Sequence, residues 1–146
     1  MADTIVRVCF AAMQSGQPLT LEDFGDQFVS DGAERGITKL RQARGQPWVR
    51  IRLNGSRPGL CSANFSDAGI TGDSYRTASL VADNIRQLYE LRPASVPGMR
   101  ASFTFENLDH AFDPERDPFI GYLPVAGFQT FIFMPAGEPT PEEASR

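Results

Sequence analysis

His110 is the only histidine in this 146-residue chain, so any mechanism that needs an imidazole near neutral pH passes through it. Asp109 and Asp113 stand close enough in sequence to orient the ring, with Ser102 or Thr104 as a distant nucleophile. Such a triad asks for a nucleophile raised on a tight turn, and no Gly-x-Ser-x-Gly occurs. A proline-crowded loop fits a solvent-facing histidine better. The run Asp113-Pro114-Glu115-Arg116-Asp117 offers oxygen ligands but lacks the glycine and closing glutamate that a calcium loop needs. Asp-Pro pairs start turns, so a turn is the expectation there. Gly55 and Gly59 lie in neither Walker nor dinucleotide spacing. These residues lead us to expect no catalytic centre, no metal and no cofactor, hence a protein that is not an enzyme.

The second set of chemically capable residues is Trp48, Arg50 and Arg52. In Pro47-Trp48-Val49-Arg50-Ile51-Arg52-Leu53 the alternation puts Val49, Ile51 and Leu53 on one face of a half-buried strand. Trp48, Arg50 and Arg52 take the other face. Tryptophan beside arginine is the composition of interface anchors, and guanidinium groups grip carboxylates two bonds at a time. A protein-binding stripe is therefore expected at this strand.

The bulk numbers set the frame. A chain of this length buries roughly 68–70% of its unfolded surface and folds as one domain without staples. Its 41% apolar and 22% charged residues are those of an ordinary globular protein. The net charge of −4 argues against nucleic-acid binding through bulk electrostatics, which needs a basic footprint, although it leaves a local basic patch open; no direct sequence-specific nucleic-acid contact is expected. No stretch approaches a membrane span, and the N-terminus carries no basic region followed by an apolar core. Cys9 shares a helical stripe with Ile5 and Met13, and Cys61 is in register with Ala63 and Phe65. Two buried thiols in a reducing cytosol are the expectation, with a disulfide left open.

A first helix is expected from Asp3, as N-cap, to Gly16, with Ile5, Val8, Cys9, Ala12 and Met13 on one face. Residues 19–46 are polar and broken by glycines, which reads as an extended arm, with Gln27-Phe28-Val29 as a candidate short strand within it. A hairpin follows, from the strand at 48–53 through Asn54-Gly55 to a strand at 60–65. A helix over 74–90 buries Ala78, Val81, Ala82, Ile85, Leu88 and Tyr89, and Ala101-Ser102-Phe103-Thr104-Phe105 alternates as a further strand. Phe128 to Met134 is apolar on both faces: Phe128, Ile132 and Met134 on one, Phe131 and Phe133 on the other. Such a strand is central, or an edge covered by another subunit, so Phe131 joins the expected interface set. The expected fold is α+β, a single antiparallel or mixed sheet of about four to five strands packed by two helices. It occupies residues 1–135 as one domain, followed by a flexible acidic tail at 136–146.

The order of helix, arm, the strand at Pro47 to Leu53, the strand at Gly59 to Phe65, the helix with Ala78, Leu80, Ala82, Asp83, Ile85 and Arg86, and two last strands resembles the tail-terminator proteins of long-tailed bacteriophages. The resemblance covers roughly residues 45–134 and is one of pattern rather than of a single motif. It implies a non-enzymatic virion protein, assembled in the host cytoplasm, that forms a homo-oligomeric ring, commonly a hexamer. Its partners would be the tail tube protein, whose polymerisation it stops, and a head-completion or connector protein. The competing expectation is a small ligand-binding domain or enzyme with a pocket lined by Phe103, Phe105, Tyr122 and Phe128.

Overall fold

The computed structural model describes residues 1–45, 49–66, 73–88, 91–125 and 128–137. Helix α1 spans Ala2–Ser15 and begins at Met1 rather than at an Asp3 cap: the Ile5 N–H already donates to Met1 O at 3.0 Å. Asp3 instead lies in the first turn, where a carboxylate complements the helix dipole. Gly16 adopts φ 69° and its N–H closes the helix on Ala12 O at 2.7 Å. The buried stripe of Ile5, Val8, Cys9, Ala12 and Met13 is the one the sequence marks.

The expectation of four to five strands is overturned. The described residues build one eight-stranded antiparallel sheet with two α-helices and one 3-10 helix, a mostly β architecture. The strands are β1 (Phe28–Glu34), β2 (Ile37–Gln42), β3 (Val49–Leu53), β4 (Cys61–Ser66), β5 (Leu91–Pro93), β6 (Ala101–Phe105), β7 (Phe119–Val125) and β8 (Phe128–Met134), with α2 (Asp73–Arg86) between β4 and β5. Their order in the sheet is β1-β2-β3-β4-β8-β7-β6-β5.

The four further strands, β1, β2, β5 and β7, each lacked a period-two apolar signal. Residues 19–46 are not a plain arm. Leu21–Gln27 forms the 3-10 helix, closed by a reciprocal Thr20–Asp23 capping box and anchored by buried Phe24, whose ring meets Phe28 edge-on at 5.8 Å. The β1–β2 hairpin then turns at Arg35 and Gly36, with φ of 52° and 82°, the pair of positive values a tight hairpin requires. Only Phe28 of β1 is buried and residues 30–34 are exposed, so the hairpin projects past the core. β5 is three residues long and ends on a proline. β7 has Gly121 and Pro124 within a nearly continuous apolar run, which has no alternation to read.

Both helices lie on one face of the sheet, α1 packing against α2, β4 and β8. That face holds Leu40, Val49, Ile51, Leu53, Cys61, Ala63, Phe65, Ile120, Phe131 and Phe133, the core of the molecule. Cys9 and Cys61 are joined across it in a disulfide with Cα atoms 5.5 Å apart, so the expected pair of free thiols is corrected: helical stripe and strand bring the two sulfurs together. On the opposite face, the loop between β6 and β7 and residues 94–100 cover the β6–β7 half. Phe112 stacks edge-on against Phe119 at 6.2 Å, and the Thr104 hydroxyl donates to Pro118 O at 2.9 Å. Gly121 lets Met99 lie close against the sheet there, since a Cβ would sit 2.9 Å from the Met99 sulfur and the methionine side chain would have to shift.

The turn between β3 and β4 carries a positional clamp. Asn54, at φ 72°, accepts from the Leu19 N–H (2.8 Å) and the Gly59 N–H (3.2 Å) and donates to Leu19 O (2.8 Å). This fixes the start of the 3-10 segment, and with it the root of the projecting hairpin, to the end of β3.

Candidate functional site

β3 has the alternation read from its sequence, Val49, Ile51 and Leu53 buried and Arg50 and Arg52 exposed. Trp48 lies outside the described residues. The register of β2 on β3 sets Lys39 opposite Arg52 and Arg41 opposite Arg50, so the outer stripe is four cations on two adjacent strands. Sequence reasoning missed Lys39 and Arg41 because they join the stripe only once β2 exists. Two carboxylates from the hairpin reach it, Glu34 to Lys39 at 3.1 Å and Asp31 to Arg41 at 3.9 Å. Arg50 is also engaged within the molecule.

Phe131 does not belong to that surface. It is 4% exposed, with its ring 5.9 Å from Phe65 and 5.1 Å from Tyr122 in the core under the helices. Of the two faces of β8, the outer one presents Phe128, which is 47% exposed. From β2 to β8 the uncovered side of the sheet therefore grades from cations, through Ser62 and Asn64 of β4, to an apolar patch at Phe128.

His110 is held more firmly than a solvent-facing histidine. Its Nε2 lies 2.8 and 3.0 Å from the two Asp117 carboxylate oxygens and its Nδ1 lies 2.8 Å from Asp109 Oδ1. Both ring nitrogens meeting carboxylate oxygens is an arrangement that only the imidazolium satisfies with two donors. Asp117 is buried and also accepts the Asp113 N–H at 2.9 Å, while the Asp113-to-Asp117 run forms the expected turn. Thus Asp109 does meet the ring, but the second carboxylate on it is Asp117 rather than the expected Asp113. Thr104 is committed to Pro118 O and Ser102 is buried, so neither is placed as a nucleophile.

Hydrogen bonding to Asp109, then to Asp117, raises the His110 pKa above its usual 6.5. The Asp109 pKa is lowered, first by its hydrogen bond to His110. For a raised imidazole, the stabilisation is complete below pH 6.5 and is lost as pH climbs through the folded-state value. The loop joining β6 to β7 is accordingly expected to loosen on the alkaline side. An NMR titration of the His110 ring should give a pKa above 6.5, falling toward it in Asp117→Asn; a wild-type midpoint at or below 6.5 contradicts the clasp.

A cavity of 220 Å³ lies between α2 and the sheet, lined by Ala82, Ile85, Phe103, Ile120, Tyr122 and Phe131 among others. Phe103 and Tyr122 are where the pocket expectation put them. Phe128 is on the opposite face, and Phe105 packs on Phe10 with ring centres 5.9 Å apart. Among the described residues no group of three or more His, Cys, Asp or Glu side chains is arranged to hold a metal ion, and no helix is long and apolar enough to cross a membrane.

Comparison with known proteins gave no matching family model, no matching curated protein and no matching solved structure.

Proposed function

We propose that this chain is a structural virion protein of a tailed phage or phage-like particle. It forms a homo-oligomeric ring at the head-proximal end of the tail, ends tube polymerisation and joins the tail to a head-completion or connector protein. In this reading it is assembled in the host cytoplasm and performs no catalysis. Its contacts run through Arg50 and Arg52, with Trp48 beside them in sequence.

The observation that carries the reading is the asymmetry of the sheet: helices cover one face, while Lys39, Arg41, Arg50, Arg52 and Phe128 occupy the uncovered side of the other. Its edges add support. β1 is interrupted by a register shift between Ser30 and Ala33, where Gly32 takes φ 100°, and β5 is short and closed by Pro93. Bulges, brevity and proline are the devices that stop strands from adding to a sheet. Association then runs through a face and the projecting hairpin, and a heterologous contact of that kind closes into a ring when its rotation divides the circle.

The aromatic pocket is the weaker alternative, because 220 Å³ falls below the roughly 300–1,000 Å³ usual for small-molecule sites. Size-exclusion chromatography with light scattering separates the two, run on the protein alone and with a purified tail tube protein. A ring-sized species, or co-elution with tube protein, is expected. A strict monomer that ignores the tube protein and shows a thermal shift with a small molecule would overturn the proposal.

A further inference from the structure

Asn54 serves two purposes in the turn after β3. Its main chain takes φ 72°, a left-handed value that asparagine tolerates better than most residues, and its side chain clamps Leu19 and Gly59. The residue that follows is Gly55, which does not itself take a positive φ. Of the four asparagines in the chain, this one alone precedes a glycine. Asn64, Asn84 and Asn107 precede Phe65, Ile85 and Leu108, whose side chains screen the main-chain nitrogen between the two residues. An unscreened nitrogen beside an asparagine amide is the arrangement in which a chain attacks its own side chain.

We infer that Asn54 is a site of spontaneous deamidation, shielded while it clamps Leu19 and reactive when the root of the β1–β2 hairpin opens. In the reaction the Gly55 main-chain nitrogen bonds to Asn54 Cγ and the Cγ–Nδ2 bond breaks. The nitrogen's proton leaves with Nδ2 as ammonia. Water then opens the resulting cyclic imide at either carbonyl, leaving a carboxylate on a normal or a β-linked main chain, with no oxidant or reductant involved. The clamp opposes the first step. Oδ1 accepts from the Leu19 N–H at 2.8 Å and the Gly59 N–H at 3.2 Å, and Nδ2 donates to Leu19 O at 2.8 Å, so both ends of the amide are pinned and Cγ is not free to swing onto the Gly55 nitrogen. Release requires the chain at Leu19 to lift away, a local opening of the segment that roots the projecting hairpin. The product cannot restore the clamp. A carboxylate still accepts from both N–H groups, but it has no donor for Leu19 O, which is then left facing a second acceptor. Deamidation thus records each opening of the root and then favours the open form. Nothing in this chemistry depends on what the protein assembles with.

The test follows Asn54 in the full chain by peptide mapping and mass spectrometry during incubation in mildly alkaline buffer, folded and in guanidinium chloride, with Asn64, Asn84 and Asn107 as internal references. In denaturant Asn54 is expected to convert faster than the other three, and in the folded protein at least about tenfold more slowly than in denaturant. Gly55→Ala should slow the conversion in denaturant, as ring closure through that nitrogen requires. Asp23→Ala removes the exposed carboxylate that caps Thr20, the neighbour of Leu19; circular dichroism should show the variant folded, and its Asn54 should convert several-fold faster than in the unmodified folded chain. Asn54→Asp, which supplies the product carboxylate, should raise amide hydrogen exchange across Leu21–Gln27. Equal rates at the four asparagines in denaturant, equal rates at Asn54 folded and unfolded, or an undiminished rate in Gly55→Ala would each overturn the inference. So would a folded Asp23→Ala variant no faster than the unmodified chain, or unchanged exchange in Asn54→Asp.

Discussion

Phe133→Ala is expected to cost about 3–5 kcal/mol of folding stability, the range for deleting a fully buried phenylalanine. Phe133 is wholly buried in β8, which lies between β4 and β7, and its register partners are Cys61 and Ile120. The surrounding side chains are held by two strands and by α1, so the space left behind has little freedom to collapse. Against a total stability of about 5–15 kcal/mol, the loss would lower the melting temperature by roughly 10 °C or more. Thermal unfolding followed by circular dichroism measures it. A shift of only a degree or two would mean that this part of the sheet is not packed as described.

Replacing both Cys9 and Cys61 by alanine is expected to rival that loss. The bond ties α1 to β4 across 52 residues of chain, and closing a loop of that span removes about 4 kcal/mol of conformational freedom from the unfolded state. Roughly 10 °C of melting temperature should go with it. The unmodified protein should show a similar drop on full reduction, and the double variant should be indifferent to reductant. Indifference of both proteins to reductant would contradict the crosslink. Because Phe133 is the register partner of Cys61, the two losses should not simply add.

What the sequence discloses and what it hides follow from burial. The in-and-out order of β3 was legible because Val49, Ile51 and Leu53 alternate against polar neighbours; the bounds of β6 were legible from the same alternation of Phe103 and Phe105, although there Ser102 and Thr104 are the buried side chains, and those of β8 from an apolar run that stops at Pro135. The β1–β2 hairpin was not, because Ser30 to Glu34 bury nothing and so carry no pattern. For β8 the period of two separates Phe131 and Phe133 from Phe128, Ile132 and Met134, but the strand alone does not say which set lies under the helices. The assignment of Phe131 to an interface fails for that reason. Arg50 and Arg52 were visible as an outward stripe, whereas Lys39 and Arg41 needed the strand register to become their neighbours. The same limit hid Asp117, which the turn begun at Asp113 carries back onto His110.

In the proposed assembly, the sheet is covered by helices on one side, blunted at both edges and meets its partners by the side that carries the cationic stripe. Electron microscopy of tail tubes polymerised with and without the protein tests it most directly. The account predicts tubes that cease growing and carry an added ring of density at one end, an effect diminished by Arg50→Glu/Arg52→Glu. Tubes that lengthen unchanged, with no density added at either end, would contradict it.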